Sequence, residues 1–471
     1  MKGIRYLAVV PLVAVLSGCD NLTVPDLNNP GVGELTDNPT PSAVFGAAQG
    51  LFLDARAGIS GRAGYVSALG ILGRESYNFD PSDPRFVTEL LIGPLDGGTP
   101  AFGGAHWGIR YSSVRDAATL LNAVDLVPDA GIVPEDKNAI QGFANTMIAL
   151  DLLHIVNTRD ENGAVISINP DPRGDPEPIV SKSATFAEIV RLLDDAESDL
   201  QNAGGAFPFR LPDGFAIAGT PADFVTFNRA LRARVDVYMG NYGDALTNLA
   251  ASFLNDAAPF SLGVYNDFGT GAGETQNGLF DQSLVLLAHP SIETDAQMQP
   301  GGDPDQRFLD KTTELATPRG DQASQGLSSD LQFTIYATPT ASVPIIRNEE
   351  LILLRAEANL ACTGDGGGVT CAGNPADALD DINLVRQTAG GLAAIDGGDW
   401  AAMTDEERLD ELLYNKRYSL LYEGGHRWID MRRYNKLDEL PLDVPAFTVA
   451  QRYPFPTQEC DARSSPPAQG C

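Results

Sequence analysis

Apolar residues recur at helical spacing through most of this 471-residue chain. Val44, Ala47, Ala48, Leu51, Phe52 and Ala55 form the first stripe, from Ala43 onward. Tyr65–Gly73 predicts a second, short helix. His106–Val127 follows, with Ile109, Ala117, Leu120, Leu121 and Val124 turned inward. Lys137–Arg159 is long and strongly apolar through Ile140, Phe143, Met147, Ile148, Leu152 and Ile155. Thr185 and Glu188 have the spacing of a capping box and predict a helix running to Leu200. Thr220-Pro221 opens the next helix, with proline at the favoured first position. The expected fold class is mainly α.

Two later stretches repeat a helix-turn-helix pattern. Gly240-Asn241-Tyr242-Gly243-Asp244-Ala245, followed by Leu249 and Ser252, places Gly, aromatic, Ala, large apolar and small residues as a tetratricopeptide-like hairpin does. The helix Arg347–Ala361, then Asn374-Pro375-Ala376-Asp377-Ala378 with Ile382 and Val385, makes a second copy. Two copies among several more helix pairs predict a helical-repeat scaffold. Between the copies, 257–343 is irregular and rich in Gly, Asp and Gln, with Ser283–Ala288 and Leu331–Tyr336 as candidate short strands. Glu75–Ala105 is another long irregular loop, punctuated by Tyr77, Phe79, Phe86 and Phe102. Aromatic side chains in such a loop have two readings: plugs into the core, or a platform on which sugar rings or other flat apolar faces stack.

Thr404–Lys436 carries the densest signal. Thr404 and Glu407 form a capping box, and Leu409, Leu412, Leu413, Leu420 and Leu421 give the helix an apolar face. Gly424-Gly425 breaks it. His426, Arg427, Trp428, Asp430, Arg432 and Arg433 follow, and such a mixture cannot be buried unless its charges pair with one another. Glu423, Arg427, Asp430 and Arg432 are therefore expected to form a structural ion-pair cluster. The competing reading is a catalytic carboxylate, Glu423 or Asp430, set among arginines.

On these residues the run resembles the C-terminal signature of the SusD/RagB family of outer-membrane nutrient-binding lipoproteins, roughly Glu-Gly-x-Arg-Trp-x-Asp-Leu-x-Arg. Glu423, Arg427, Trp428, Asp430 and Arg432 fall on it. Asn415-Lys416-Arg417 stands where the family usually has Glu-Arg, and Gly424-Gly425 is one Gly longer than the usual form. Trp107 and Tyr111 resemble the family's Trp-x-x-x-Tyr, Asp303–Arg307 its Asp/Pro/Arg element, Arg355-Ala356-Glu357-Ala358 the motif of the helix that follows, and Arg452–Pro456 its terminal Tyr-Pro-x-Pro. The resemblance implies a SusD-like helical-repeat body with a loop-rich ligand face at about 75–105 and 257–343 and a signature region at 344–456. It puts Tyr77, Phe79, Phe86, Phe102 and Trp107 forward as ligand contacts. It also implies capture of an oligosaccharide or peptide nutrient, without catalysis or cofactor, and hand-over to a SusC-like TonB-dependent barrel transporter.

The N-terminus changes the picture again. Lys2 and Arg5 precede an apolar run, Tyr6–Leu16, too short to span a bilayer. Leu16-Ser17-Gly18-Cys19 then matches a bacterial lipobox, so residues 1–18 read as a signal peptide and Cys19 as the acylated thiol. Residues 19–42, rich in Asn, Asp and Pro, read as a tether, and 43–471 as one body. No other segment reads as transmembrane. Four further cysteines fall as Cys362/Cys371 and Cys460/Cys471, expected as two disulfides in an oxidising compartment, the first closing the turn of the second hairpin. Zinc is disfavoured because neither pair has the two-to-four-residue ligand spacing.

Charge excludes more than it assigns. With 32 Lys plus Arg against 63 Asp plus Glu, the net charge is −31, which argues against nucleic acid and against electrostatic adhesion to anionic lipid. The sequence holds no HExxH, G-x-S-x-G or P-loop, and its four histidines are scattered. His154, alone on its helix, reads as structural. Two other classes stay open: a membrane-anchored all-helical glycoside hydrolase, and a scaffold lipoprotein that uses its repeats to bind proteins.

Overall fold

The computed structural model describes residues 32–98, 105–167, 174–320, 326–365, 368–443, 449–463 and 470–471. Five helices come first: α1, Pro41–Arg56; α2, Tyr65–Leu72; α3, Ala105–Leu126; α4, Pro134–Arg159; and α5, Lys182–Gln201, of which α1 packs on α3, α3 on α4 and α4 on α5. They continue into α6, Pro221–Met239, and α7, Tyr242–Ala250, and then, after the irregular segment, into α8, Asn348–Leu360, α9, Pro375–Thr388, α10, Asp405–Ser419, and α11, His426–Arg433. The pairs α6/α7 and α8/α9 are the two expected hairpins, and α8 rests on both α7 and α10. The mainly α, repeat-like architecture read from the sequence is the one observed.

Local chemistry sets the helix starts. Thr40, Thr220 and Asn374 each accept a hydrogen bond from a first-turn backbone N–H, and each is followed by a proline whose missing N–H costs nothing there. Thr404 and Glu407 form the complete capping box of α10. The box expected at Thr185 and Glu188 is a correction. Ser181 caps α5 through the Ala184 N–H at 3.2 Å, while Thr185 is buried in the first turn and donates back to the Ser181 carbonyl. Ordered structure also begins inside the stretch read as a tether. Val32–Thr36 is a short helix with Leu35 in the core, and α1 begins at Pro41.

Helix α4 meets the length and hydropathy of a membrane span, which the sequence reading had not allowed it. Most of it is buried between α3 and α5, as suits the central helix of a large core. Phe52, Phe143, Phe209, Phe215, Phe224 and Phe227 interlock around it, with neighbouring rings about 5–6 Å apart.

The irregular segment holds more strand than expected. Ser76–Asn78 (β1), Leu286–Ala288 (β3), Thr312–Arg319 (β4) and Ser329–Phe333 (β5) form an antiparallel sheet ordered β1-β3-β5-β4. Gly263–Asn266 (β2) pairs with Val343–Arg347 (β6), which leads directly into α8. The two predicted strands are found at 286–288 and 329–333, each displaced or trimmed by two or three residues. A ribbon, Cys362–Asp365 (β7) with Gly368–Cys371 (β8), stands between α8 and α9, and the Cys362–Cys371 disulfide ties its base. The Cys460–Cys471 disulfide holds the C-terminus.

Candidate functional site

Trp428 is fully buried and organises the signature region. Its indole N–H donates to the Ala450 carbonyl at 2.8 Å, and the Arg432 guanidinium lies 4.4 Å over its ring. The four charges expected to pair with one another do not; each reaches a different element. Glu423 accepts from Arg347 Nε at 2.7 Å and Nη2 at 2.9 Å, and from Lys311 at 3.2 Å. Asp430 accepts from Lys416 at 2.7 Å and Arg433 at 2.9 Å, and both cations also hold the fully buried Glu357 of α8, at 2.6 and 2.8 Å. Arg432 reaches the Asn157 carbonyl at 2.7 Å and Asp160 at 3.5 Å. Arg427 has no carboxylate within ion-pair distance among the described residues; its one hydrogen bond runs to the Arg74 carbonyl at 3.5 Å. The physical reason is the helix period. Arg427 and Asp430, three residues apart, share a face of α11, but Asp430 is already taken by Lys416 and Arg433, while Arg432, two residues on from Asp430, turns toward Asn157 and Asp160.

These contacts show in the titration of the groups. Burial alone would raise the Glu423 carboxyl, but Arg347 and then Lys311 outweigh it and bring its pKa down to about 2. Glu357 is likewise held below the usual carboxylate range, burial being outweighed by Lys416 and Arg433. Both carboxylates are saturated by cations, which suits a structural role and leaves neither poised for acid–base work. Gly425, at φ 71°, caps α11; a Cβ there would lie 2.2 Å from that of Leu69, so this position requires glycine. His154 is partly buried beside Tyr65, with ring centroids 4.7 Å apart.

The expected ligand contacts fare differently. Tyr77, Phe79 and Phe86 are buried in the second core, with Tyr77 1% exposed and 5.0 Å from Phe79. They are plugs: Tyr77 sits on β1 where it pairs with β3, Phe79 follows with its N–H on the Val285 carbonyl, and Phe86 opens the buried helical turn Phe86–Leu91. Trp107 is also buried, donating from Nε1 to Glu459 at 3.1 Å and set edge-on to Tyr111 and Phe455, though one edge lines a cleft of about 330 Å³ with Arg115, Glu177 and Arg463. Phe102 and Cys19 lie outside the described residues.

The 257–343 segment contributes to a larger cleft, about 490 Å³, between α1, residues 210–215 and the loop after β2. Phe52, Phe215 and Phe268 form its floor, Tyr265 is half-buried, and Leu53 stands 52% exposed beside them. Arg56 donates to the Asp267 carbonyl at 2.8 Å and to Glu274 at 3.1 Å, strapping the loop across one end. Asp267 accepts from the Gly214 N–H and from Ser342. Arg210 and Asp213 are open to solvent. An apolar floor with a few convergent polar groups suits a flat, hydroxylated ligand. Phe52 reads in the sequence as core only, and the Phe215 contribution could have been suspected from the run of phenylalanines at 207, 209 and 215. Among the described residues no group of His, Cys, Asp and Glu could hold a metal ion.

With this geometry in view, the sequence model of the SusD family matches residues 326–459. No curated protein matches the chain. Solved structures do. A SusD superfamily protein from Bacteroides vulgatus superposes with a TM-score of 0.66 at 15% identity, over 93% of this chain and 100% of its own. A SusD-like carbohydrate binding protein from Bacteroides fragilis gives 0.66 at 13%, over 88% and 98%. A laminarin binding SusD-like protein gives 0.57 at 17%, over 88% and 96%. The fold is therefore the SusD-like one. Residues 326–459 match the family's sequence model, with the signature read at 423–432 inside that stretch, and over the rest of the chain the likeness shown is one of fold.

Proposed function

We propose that this protein is an outer-membrane lipoprotein that captures carbohydrate at the cell surface and passes it unchanged to a SusC-like TonB-dependent barrel. The observation that carries the reading is a SusD-like fold along nearly the whole chain, shared with proteins described as carbohydrate binding, together with an aromatic-floored cleft on its loop-rich side. Tyr265, Phe268 and Leu53 would meet sugar faces, and Arg210, Asp213 and Gln49 would meet hydroxyls. Residues 1–18 would be removed, Cys19 acylated, and the segment before Val32 would tether the body to lipid. Catalysis has no support in this cleft. Asp267 is committed to Gly214 and Ser342, and Glu274 to Arg56, which leaves no matched acid and base pair.

The test is affinity electrophoresis of the soluble body in gels containing laminarin, starch or other neutral glycans. Retardation by at least one glycan, reduced in Tyr265→Ala, supports the reading. Equal mobility in every gel would sink it. Metabolic labelling with a fatty acid tests the anchor, with incorporation expected to vanish in Cys19→Ala.

A further inference from the structure

Two histidines far apart in the chain reach one small interior space. A cavity of about 40 Å³ lies where α2, α4, α6, β6 and α11 meet, and Tyr65, His154, Asn157, Arg234, Asn266 and His426 supply polar lining. His154 stands on α4 between Leu153 and Ile155, both buried in the core, so the surface it keeps is that of the cavity. Its Nδ1 is sealed off, which leaves Nε2 as the nitrogen that reaches this space. Neither imidazole has a hydrogen-bond partner among the described residues. The Tyr65 hydroxyl meets only the Asn157 amide there, at a long 3.5 Å.

These groups need a partner, and the charges around them limit what it can be. Burial, with Arg110 and Arg234 acting in the same sense, holds His154 well below the ordinary imidazole range; for His426 burial outweighs the opposing Glu350. Both rings are therefore neutral near pH 7, and each turns an N–H or a lone pair toward the cavity. The neighbouring charges are already paired. Arg234 holds Glu350 at 2.6 Å, and Glu423 is held by Arg347 at 2.7 Å and Lys311 at 3.2 Å. An ion of either sign would meet a like charge there and find no unpaired opposite one. What suits the lining is a small neutral molecule that both donates and accepts.

We propose that this cavity is a binding site for about two or three water molecules, which hydrogen-bond His154 Nε2, His426 and the Tyr65 hydroxyl and so tie α2 and α4 to the first turn of α11. A water needs about 10–15 Å³ of such space and two to four polar partners, so volume and lining both fit. Asn266 lines this cavity and the aromatic cleft alike, so the same water backs the strand that presents Tyr265. The site does not depend on the glycan reading.

High-resolution crystals of the unaltered chain test the site, with magnetic relaxation dispersion of labelled water to count the long-lived molecules in solution. Density for at least two waters is expected, each within hydrogen-bond distance of His154 Nε2, His426 or Tyr65. The double variant His154→Leu, His426→Leu should hold at least one long-lived water fewer. A dry cavity, an ion in place of water, or a folded double variant with an unchanged count would overturn the proposal. Where the double variant does not fold, the density in the unaltered chain decides in the same terms.

Discussion

Removing the charge of Glu423 tests the energetic account of the signature region. In the folded chain its carboxylate takes two hydrogen bonds from Arg347 and one from Lys311, and its pKa falls from the usual 4.5 to about 2. At about 1.4 kcal/mol per unit, that depression corresponds to about 3 kcal/mol of stability. The sign follows from the direction. A depressed carboxyl stabilises fully above its unfolded value and loses that contribution as pH falls toward the folded one. Glu423→Gln keeps the shape and deletes the charge, leaving Arg347 with Glu349 and Lys311 with the carbonyls of Tyr418 and Ser419. Breaking a buried pair typically costs about 3–5 kcal/mol, and the surviving partners place this variant at the lower end. Urea denaturation of both proteins from neutral pH down to about pH 3 measures the difference. It should be about 3 kcal/mol near neutrality and less than half that at about pH 3. A difference under about 1 kcal/mol, or one that stays constant across the range, would refute the reasoning.

Other outcomes follow from the same structure. Gly425→Ala should destabilise by about 2–4 kcal/mol, through a positive φ and a clash with Leu69, whereas Gly424→Ala, whose nearest neighbour is the His426 ring at 3.3 Å, should cost under about 1 kcal/mol; chemical denaturation compares them. Replacing Cys362 and Cys371 by serine should cost about 2–3 kcal/mol, since the bond closes a short loop with a sequence separation of 9, and thermal melting with and without reductant reads it. Tyr77→Ala should lower stability by about 3–5 kcal/mol while leaving glycan affinity unchanged in the molecules that fold, because Tyr77 fills the core and does not face the cleft.

What the sequence disclosed was what is decided locally. A capping box spans four residues, so Thr404 and Glu407 could be read without knowing the fold, and the Thr-Pro and Asn-Pro starts were equally self-contained. The Thr185 box misled because Ser181, one turn earlier, competes for the same role and wins. Strands β2, β4 and β6 escaped notice because pairing partners far apart in the chain, such as Val264 and Ile346, create them. The aromatics of the loop at 75–98 could be read as plugs or as a platform because its Gly, Pro and Asp content describes the backbone, while burial depends on β3 and β5 arriving from more than 200 residues away. The charges of α11 were rightly seen as needing partners. Which partners could not be seen, because Arg347 and Glu357 reach them from another helical hairpin and its preceding strand.

The central claim is that a SusD-like body holds carbohydrate reversibly in the cleft of Tyr265 and Phe268. Calorimetric titration with neutral oligosaccharides, followed by chromatography of the recovered sugar, tests it most directly. Saturable heat that diminishes in Tyr265→Ala, with every chain returned at its original length, is the predicted result. Heatless titrations across a broad set of glycans, or shortened sugars in the eluate, would contradict it.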